Sequence, residues 1–309
     1  MAIRQSNSQQ MICFLTLILV AILGGCGGGT TKKVRPLSEQ MNDARALTNP
    51  ADRSLALLKV ADGYLAAADD LGARNCLMLA TEAADEISLK RAAAQRANIY
   101  IQIAAGWHQA GQTQNCEDSY KDASKAIRKI SDPVDKTDAL TQLGTLKITI
   151  DEKSSASKEL KKALTESNKI EDPMERVRLV GAVAQGYTKL EQPNDAKQIM
   201  ASALKLGEAE KDPAKKARLL ALIGGQQIDF LGDNQAGMET IEKARQVAGS
   251  IENNPNKQAN VLIAIAATYK DLRKKDMARS LLNEAEKLCR GRSECKPAMK
   301  RIAKLRDQM

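Results

Sequence analysis

Along most of the chain, apolar residues return at spacings of three and four, and short polar breaks interrupt them at even intervals. Val180, Val183, Ala184 and Tyr187 line one face of a helix, and after a break Ala196, Met200 and Ala203 line one face of a second. The stretch from Ala259 repeats the arrangement, with Leu262, Ile265, Ala266 and Tyr269 followed by Ala278, Leu282 and Ala285. Two amphipathic helices in sequence, each needing a partner for its apolar face, predict a helical hairpin.

Helix starts recur with a fixed period. Asp132-Pro133, Asp172-Pro173 and Asp212-Pro213 stand 40 residues apart, and Asn49-Pro50 and Asn254-Pro255 extend the series. Asp or Asn as N-cap accepts a free backbone N–H, and Pro at the first helical position needs no N–H partner. Each pair therefore predicts a helix beginning at the Pro.

The repeated unit resembles the tetratricopeptide repeat, whose first helix carries a large residue, Leu, a small residue and an aromatic, and whose second carries Ala, an apolar residue and Ala. The two stretches above match it. So do Leu57, Val60, Ala61, Tyr64, Ala73, Leu77 and Ala80 in the first unit, and Tyr100, Ile103, Ala104, Trp107, Gly111, Tyr120 and Ala123 in the second, where Cys116 replaces the usual Ala. In the third, Leu140, Leu143, Gly144, Ala156, Leu160 and Ala163 fit but Lys147 stands in the aromatic position. The fifth has Leu220, Ile223, Gly224 and Ala236, then slips by one residue so that Ile241 and Ala244 carry its second helix.

The resemblance implies an all-α, right-handed superhelical solenoid of about six hairpins over residues 49–289, closed by a basic capping helix over 290–309. The period of 40–43 residues exceeds the family's 34, which makes a HEAT-like solenoid the alternative. Small residues at Ala61, Ala104, Gly144, Ala184 and Ala266 favour the first reading, because they let paired helices approach to about 8 Å. A hairpin cannot bury its own apolar face, so the ends need caps. Pro297 with Met299, Ile302 and Leu305 on one stripe predicts such a cap.

Such arrays bind proteins or peptides along the surface of their first helices. Projected onto this sequence, the family's groove positions are Asn98, His108, Asp138, Arg178, Gln185, Lys189, Arg218, Asn260 and Lys270, with Asp62, Gln109 and Asp229 beside them. Their signs are mixed, then basic at Arg178, Lys189 and Arg218, which suits an acidic or carboxylate-bearing ligand near units four and five. The chaperone-type carboxylate clamp is not reproduced, since Ala182 and Leu222 occupy positions where its further polar residue is expected.

The N-terminus departs from the repeat. Met11 to Leu23 is apolar except for Thr16, but 13 residues of helix span only about 20 Å against about 30 Å of bilayer hydrocarbon. Preceded by Arg4 and followed by Gly24 and Gly25, it has the layout of a secretory signal covering residues 1–25. Leu23-Gly24-Gly25-Cys26 resembles the bacterial lipobox, which implies cleavage before Cys26 and lipidation of its sulfur. Two or more acyl chains hold a protein stably to a bilayer. The Gly-, Thr- and Lys-rich segment that follows reads as a flexible tether over 26–48. The reading places the chain on a membrane of the bacterial cell envelope, facing the periplasm or exterior. Gly27 lacks the acidic residue associated in some bacteria with inner-membrane retention, which leans toward the outer membrane.

Composition narrows the chemistry. Aromatic residues make up 3%, with one Trp and two Phe, so the cores depend on close helix packing around small side chains. The net charge of +9 gathers at the end, where eight basic residues from Lys287 onward face only Glu294 and Asp307. A secreted, anchored chain with few aromatics to stack on bases is not expected to bind nucleic acid. An oxidising compartment makes Cys289 with Cys295, and Cys76 with Cys116, candidate disulfides. The first pair would tie the cap to the last repeat. No metal site, cofactor or small-molecule substrate is expected: the cysteines lack ligand spacing, His108 has no nucleophile motif beside it, and the glycine run lacks the Lys of a phosphate loop. The chain reads as a binding scaffold rather than an enzyme, its partners being other envelope proteins or peptides; a structural or wall-polymer-binding component is the alternative.

Overall fold

Helices begin where the Asp-Pro and Asn-Pro pairs predict. Asp132 accepts the backbone N–H groups of Val134 and Asp135 at 2.9 Å, Asp172 that of Met174 at 2.8 Å, Asp212 that of Ala214 at 2.8 Å, Asn49 that of Ala51 at 2.9 Å and Asn254 that of Lys257 at 2.9 Å. The computed structural model describes residues 35–309; the signal sequence, Cys26 and most of the expected tether lie outside the described residues. After α1 (Leu37–Arg45) come the first helices of six hairpins, α2 (Pro50–Ala66), α4 (Ala93–Gln109), α6 (Pro133–Thr149), α8 (Pro173–Lys189), α10 (Pro213–Leu231) and α12 (Pro255–Asp271). Their second helices are α3 (Asp70–Asp85), α5 (Thr113–Ile127), α7 (Lys153–Ser167), α9 (Pro193–Ala209), α11 (Asn234–Gly249) and α13 (Lys275–Cys289). A short 3₁₀ turn (Ser293–Cys295) leads into α14 (Lys296–Asp307), and no strand occurs among the described residues.

Each hairpin turns on one residue in the left-handed region: Ala68, Gly111, Asp151, Glu191, Gly232 and Arg273. Only two are Gly, which is why the turns leave no uniform signature in the sequence. First helices pack on their own second helix and on the next first helix, and each second helix also packs on the following first helix. Leu37–Met309 is thereby one all-α, TPR-like stack of hairpins. The predicted apolar positions fill its core, with Leu57, Tyr100, Ile103, Leu143, Leu160 and Met200 all but inaccessible.

Glycines mark the tightest joints. A methyl group on Gly106 would lie 2.6 Å from Leu77 Cδ2, and one on Gly186 2.8 Å from Leu160 Cδ1, so a second-helix leucine seats in a notch on the next first helix. Leu37 fills the corresponding notch at Gly63, at 2.7 Å. That overturns part of the expected tether: residues 37–45 form α1, which packs on α2, buries Ala44 and covers the exposed end of the first hairpin. The register slip in the fifth unit has a backbone cause. A methyl on Gly224 would stand 2.6 Å from the Gly237 carbonyl oxygen and 2.6 Å from Ile241 Cγ1, so α10 and α11 cross with their main chains in contact. At the other end α14 packs on α12 and α13 and buries Ala298, Ile302 and Leu305, with Met299 only partly covered.

The third unit solves its missing aromatic with a polar group. Lys147 is buried, and its ammonium donates to Ser155 Oγ at 2.7 Å, lies 3.5 Å from Glu159 Oε1 and stands 5.0 Å from the centroid of the Tyr120 ring. The Tyr120 hydroxyl in turn donates to Glu152 Oε1 at 2.7 Å. Neighbouring units are joined by this network as well as by apolar contact.

A second polar joint carries a pH signature. Asp212 accepts the backbone N–H of Lys215 at 3.0 Å and the ammonium of Lys257 at 2.9 Å, and these hold its carboxyl at about 2. A carboxylate whose folded value lies below its unfolded one adds stability above the unfolded value, and loses it as pH falls through the folded value. Asp212→Asn is therefore expected to flatten the fall in melting temperature between pH 4 and pH 2, as followed by circular dichroism.

Candidate functional site

Packing of successive first helices brings five of the sequence-predicted positions into a row. Asn98, Asp138, Arg178, Arg218 and Asn260 occupy corresponding places on α4, α6, α8, α10 and α12, each half-buried. Gln185 and Lys189 lie seven and eleven residues beyond Arg178 and continue its stripe along α8. His108 and Lys270 do not join. They sit at the ends of α4 and α12, about 80° around the helix from the row. Lys270 pairs with Asp271 at 3.4 Å and reaches Gln308 at the end of the chain, while His108 is exposed.

The row is polar but incompletely satisfied. Gln142 donates to Asp138 Oδ2 at 2.9 Å. Burial lifts the Asp138 carboxyl above the ordinary carboxylate range, while the Arg178 charge and the Gln142 bond pull it back. Arg178 Nε donates to Glu175 Oε2 at 2.9 Å, and its carbonyl accepts Gln226 Nε2 at 3.2 Å across the joint between α8 and α10. Asn98 Oδ1, Arg218 Nε and Gln226 Oε1 are buried without a hydrogen-bond partner. Buried polar atoms are nearly always paired, so the two orphans in the row, Asn98 Oδ1 and Arg218 Nε, mark places where an outside group would be accommodated favourably, whereas Gln226 lies inside the joint, against Gly181.

Sequence reasoning missed Arg301. From α14 its Nη1 donates to Asn260 Oδ1 at 2.5 Å, which brings a cation from the cap to the end of the row. No periodicity could have signalled this contact, because it joins two elements 41 residues apart through a single long side chain.

All four cysteines among the described residues are buried free thiols. Burial and a hydrogen bond with Cys295 push the Cys289 thiol up to about 12, and the two residues lie at the end of α13 and in the turn that leads into α14. Cys76 is pushed up to about 11 by burial and by Asp69, and Cys116 is raised by burial and by Glu152 and Glu117. The expected pairing of those two assumed contact between successive second helices, whereas each second helix packs on first helices instead. Among the described residues no group of His, Cys, Asp and Glu is placed to hold a metal ion. No described helix is long and apolar enough to cross a membrane.

No family model matches the sequence. No curated protein matches it. Solved structures similar to it include BtubC from P. vanneervenii, at 15% identity over 70% of this chain and 90% of that one, with a TM-score of 0.43. The TPR-like repeats of a putative kinesin light chain from Podospora anserina align at 13% identity over 67% of this chain and 100% of theirs, with a TM-score of 0.42. PilF of Pseudomonas aeruginosa aligns at 15% identity over 84% of this chain and 98% of its own, with a TM-score of 0.33. The likeness is one of helical-repeat architecture alone.

Proposed function

We propose that this protein is an envelope lipoprotein, held to a membrane through Cys26, that binds a protein or peptide along the surface of its first helices and so acts as a scaffold or adaptor. The observation that carries the binding reading is the row Asn98, Asp138, Arg178, Arg218, Asn260, with buried unpartnered atoms on two of its members. A photo-crosslinking residue in place of Ala182, which lies beside that row on α8, is expected to capture discrete polypeptides in intact cells. The same residue in place of the exposed Lys161 on α7 is expected to capture none of them. Equal capture at both positions, or adducts with wall polymer alone, overturns the reading in favour of a structural or polymer-binding component.

Anchoring rests on the sequence around Cys26. Loss of the acyl chains leaves a chain with no described membrane-crossing helix. Cys26→Ala is expected to move the protein from the membrane pellet to the soluble fraction, and mass spectrometry of the native N-terminus to find a diacylglycerol on the Cys26 sulfur. An unmodified thiol there removes the anchor.

An oxidising envelope also acts on Cys289 and Cys295. The two thiols give up two protons and two electrons to a disulfide donor, which leaves as two thiols, and one S–S bond then ties α13 to α14. Protein purified without reductant is expected to run two mass units lighter than the reduced chain for this peptide pair, a difference read by mass spectrometry of the linked fragment. Recovery of both thiols as alkylated Cys counts against the bond.

A further inference from the structure

The capping helix does more than cover the end of the stack. α14 packs on α12, and its Arg301 Nη1 holds Asn260 Oδ1 at 2.5 Å, so a guanidinium from the cap stands at the last member of the first-helix row. The next member of that row is Arg218, on α10, which packs directly on α12. Arg218 Nε is buried with no partner, and no carboxylate pairs with its guanidinium among the described residues. Partial desolvation and the Arg218 charge both lower the proton affinity of Arg301, in keeping with the places of the two residues next to Asn260.

Two guanidiniums on neighbouring elements beside one amide, without a carboxylate paired to either among the described residues, are stabilised by an oxyanion between them. Each offers planar N–H donors that match a carboxylate. Along the row the cations Arg178 and Lys189 are interspersed with amides and one carboxyl, Asn98, Gln142, Gln185 and Asp138, a mixture that suits the alternating donors and acceptors of a peptide better than a dense array of phosphates. We propose that Arg218 and Arg301, set on either side of Asn260, form a carboxylate-binding site in which the cap helix completes the groove, and that its occupant is an acidic side chain of a peptide partner. The proposal rests on the reading of the first-helix surface as a peptide-binding face, and adds the anchor residue and the ligand class.

The test uses the chain from residue 27 onward, which contains every described helix, in fluorescence polarisation with three probes. These are a labelled ten-residue peptide of alternating glutamate and serine, the same peptide with glutamine for glutamate, and inorganic phosphate as competitor. Binding of the glutamate peptide is expected to exceed that of the glutamine peptide by tenfold or more, and to fall by about tenfold in Arg218→Gln and again in Arg301→Gln. Arg301 is exposed, so Arg301→Gln folds and keeps the site testable if Arg218→Gln does not. Arg301→Gln is expected to melt close to the parent, because it relieves the repulsion with Arg218 as it gives up the bond to Asn260, while the glutamate peptide raises the melting temperature of the parent alone. Crosslinking at Ala182 together with glutamate-peptide binding that ignores both arginines overturns this site but leaves the binding face. Equal displacement by phosphate at matched charge overturns the peptide as occupant, and binding of neither peptide with no crosslinking removes both readings.

Discussion

Leu160→Ala is expected to lower the unfolding free energy by about 3–5 kcal/mol, at the upper end for a buried leucine. The side chain is inaccessible to solvent, and it does two jobs at once. A methyl on Gly144 of its own first helix would meet Leu160 Cδ2 at 3.0 Å, and one on Gly186 of the next would meet Cδ1 at 2.8 Å. Truncation thus opens space against α6 and α8 together, and neither glycine has a side chain to move into the gap. In a stack whose units contact only neighbours, loss at one joint weakens coupling between the halves as well as total stability. Urea unfolding should show a lower midpoint and a shallower slope, as the two sides cease to melt together. Leu164→Ala, at a half-buried position one turn along α7, is expected to cost less than half as much and to leave the slope unchanged. Equal costs for the two would mean that the glycine notches do not govern the joint.

Lys147 gives the second large effect, and two substitutions separate its causes. Lys147→Ala is expected to cost about 3 kcal/mol, because it removes a buried stem, the bond to Ser155 and the contact over the Tyr120 ring. Lys147→Met deletes the same charge but keeps the volume, and apolar isosteres of buried ion pairs are often neutral. Glu159 retains Lys162 at 3.0 Å, so its carboxylate is not abandoned in either variant. Met is therefore expected to cost less than about 1 kcal/mol by thermal or urea unfolding. A Met variant as damaged as the Ala variant would assign the stability to charge rather than to packing.

The hairpins were legible because two independent signals coincide at five of the six, α4 alone starting after Ala92 without a side-chain cap and showing only the apolar period. Asp-Pro or Asn-Pro fixes the start of a first helix, and the 3.6-residue apolar period fixes which face turns inward, as at Val180, Val183 and Tyr187. Lys147 was visible as a departure but not as a solution, since Ser155 and Glu159, which hold it, lie across a turn whose geometry rests on the left-handed Asp151. α1 was hidden by length. Leu37, Met41 and Ala44 have helical spacing, but a nine-residue helix is marginal alone and forms here because α2 offers it a notch. The row on the first helices was legible from the repeat, because corresponding positions in stacked units must align. Arg301 was not, because a cap breaks the repeat at the very place where it contributes.

The notches also dictate sequence order within the stack. Gly63, Gly106 and Gly186 receive a leucine from the preceding helix, but the corresponding position on α6 is Leu146, itself buried. A first hairpin transplanted ahead of the third would press Leu77 against Leu146, two branched side chains competing for one socket. The modules look interchangeable along the period, yet their seams are keyed, and a recombined chain would be selected against at the joint rather than within the module.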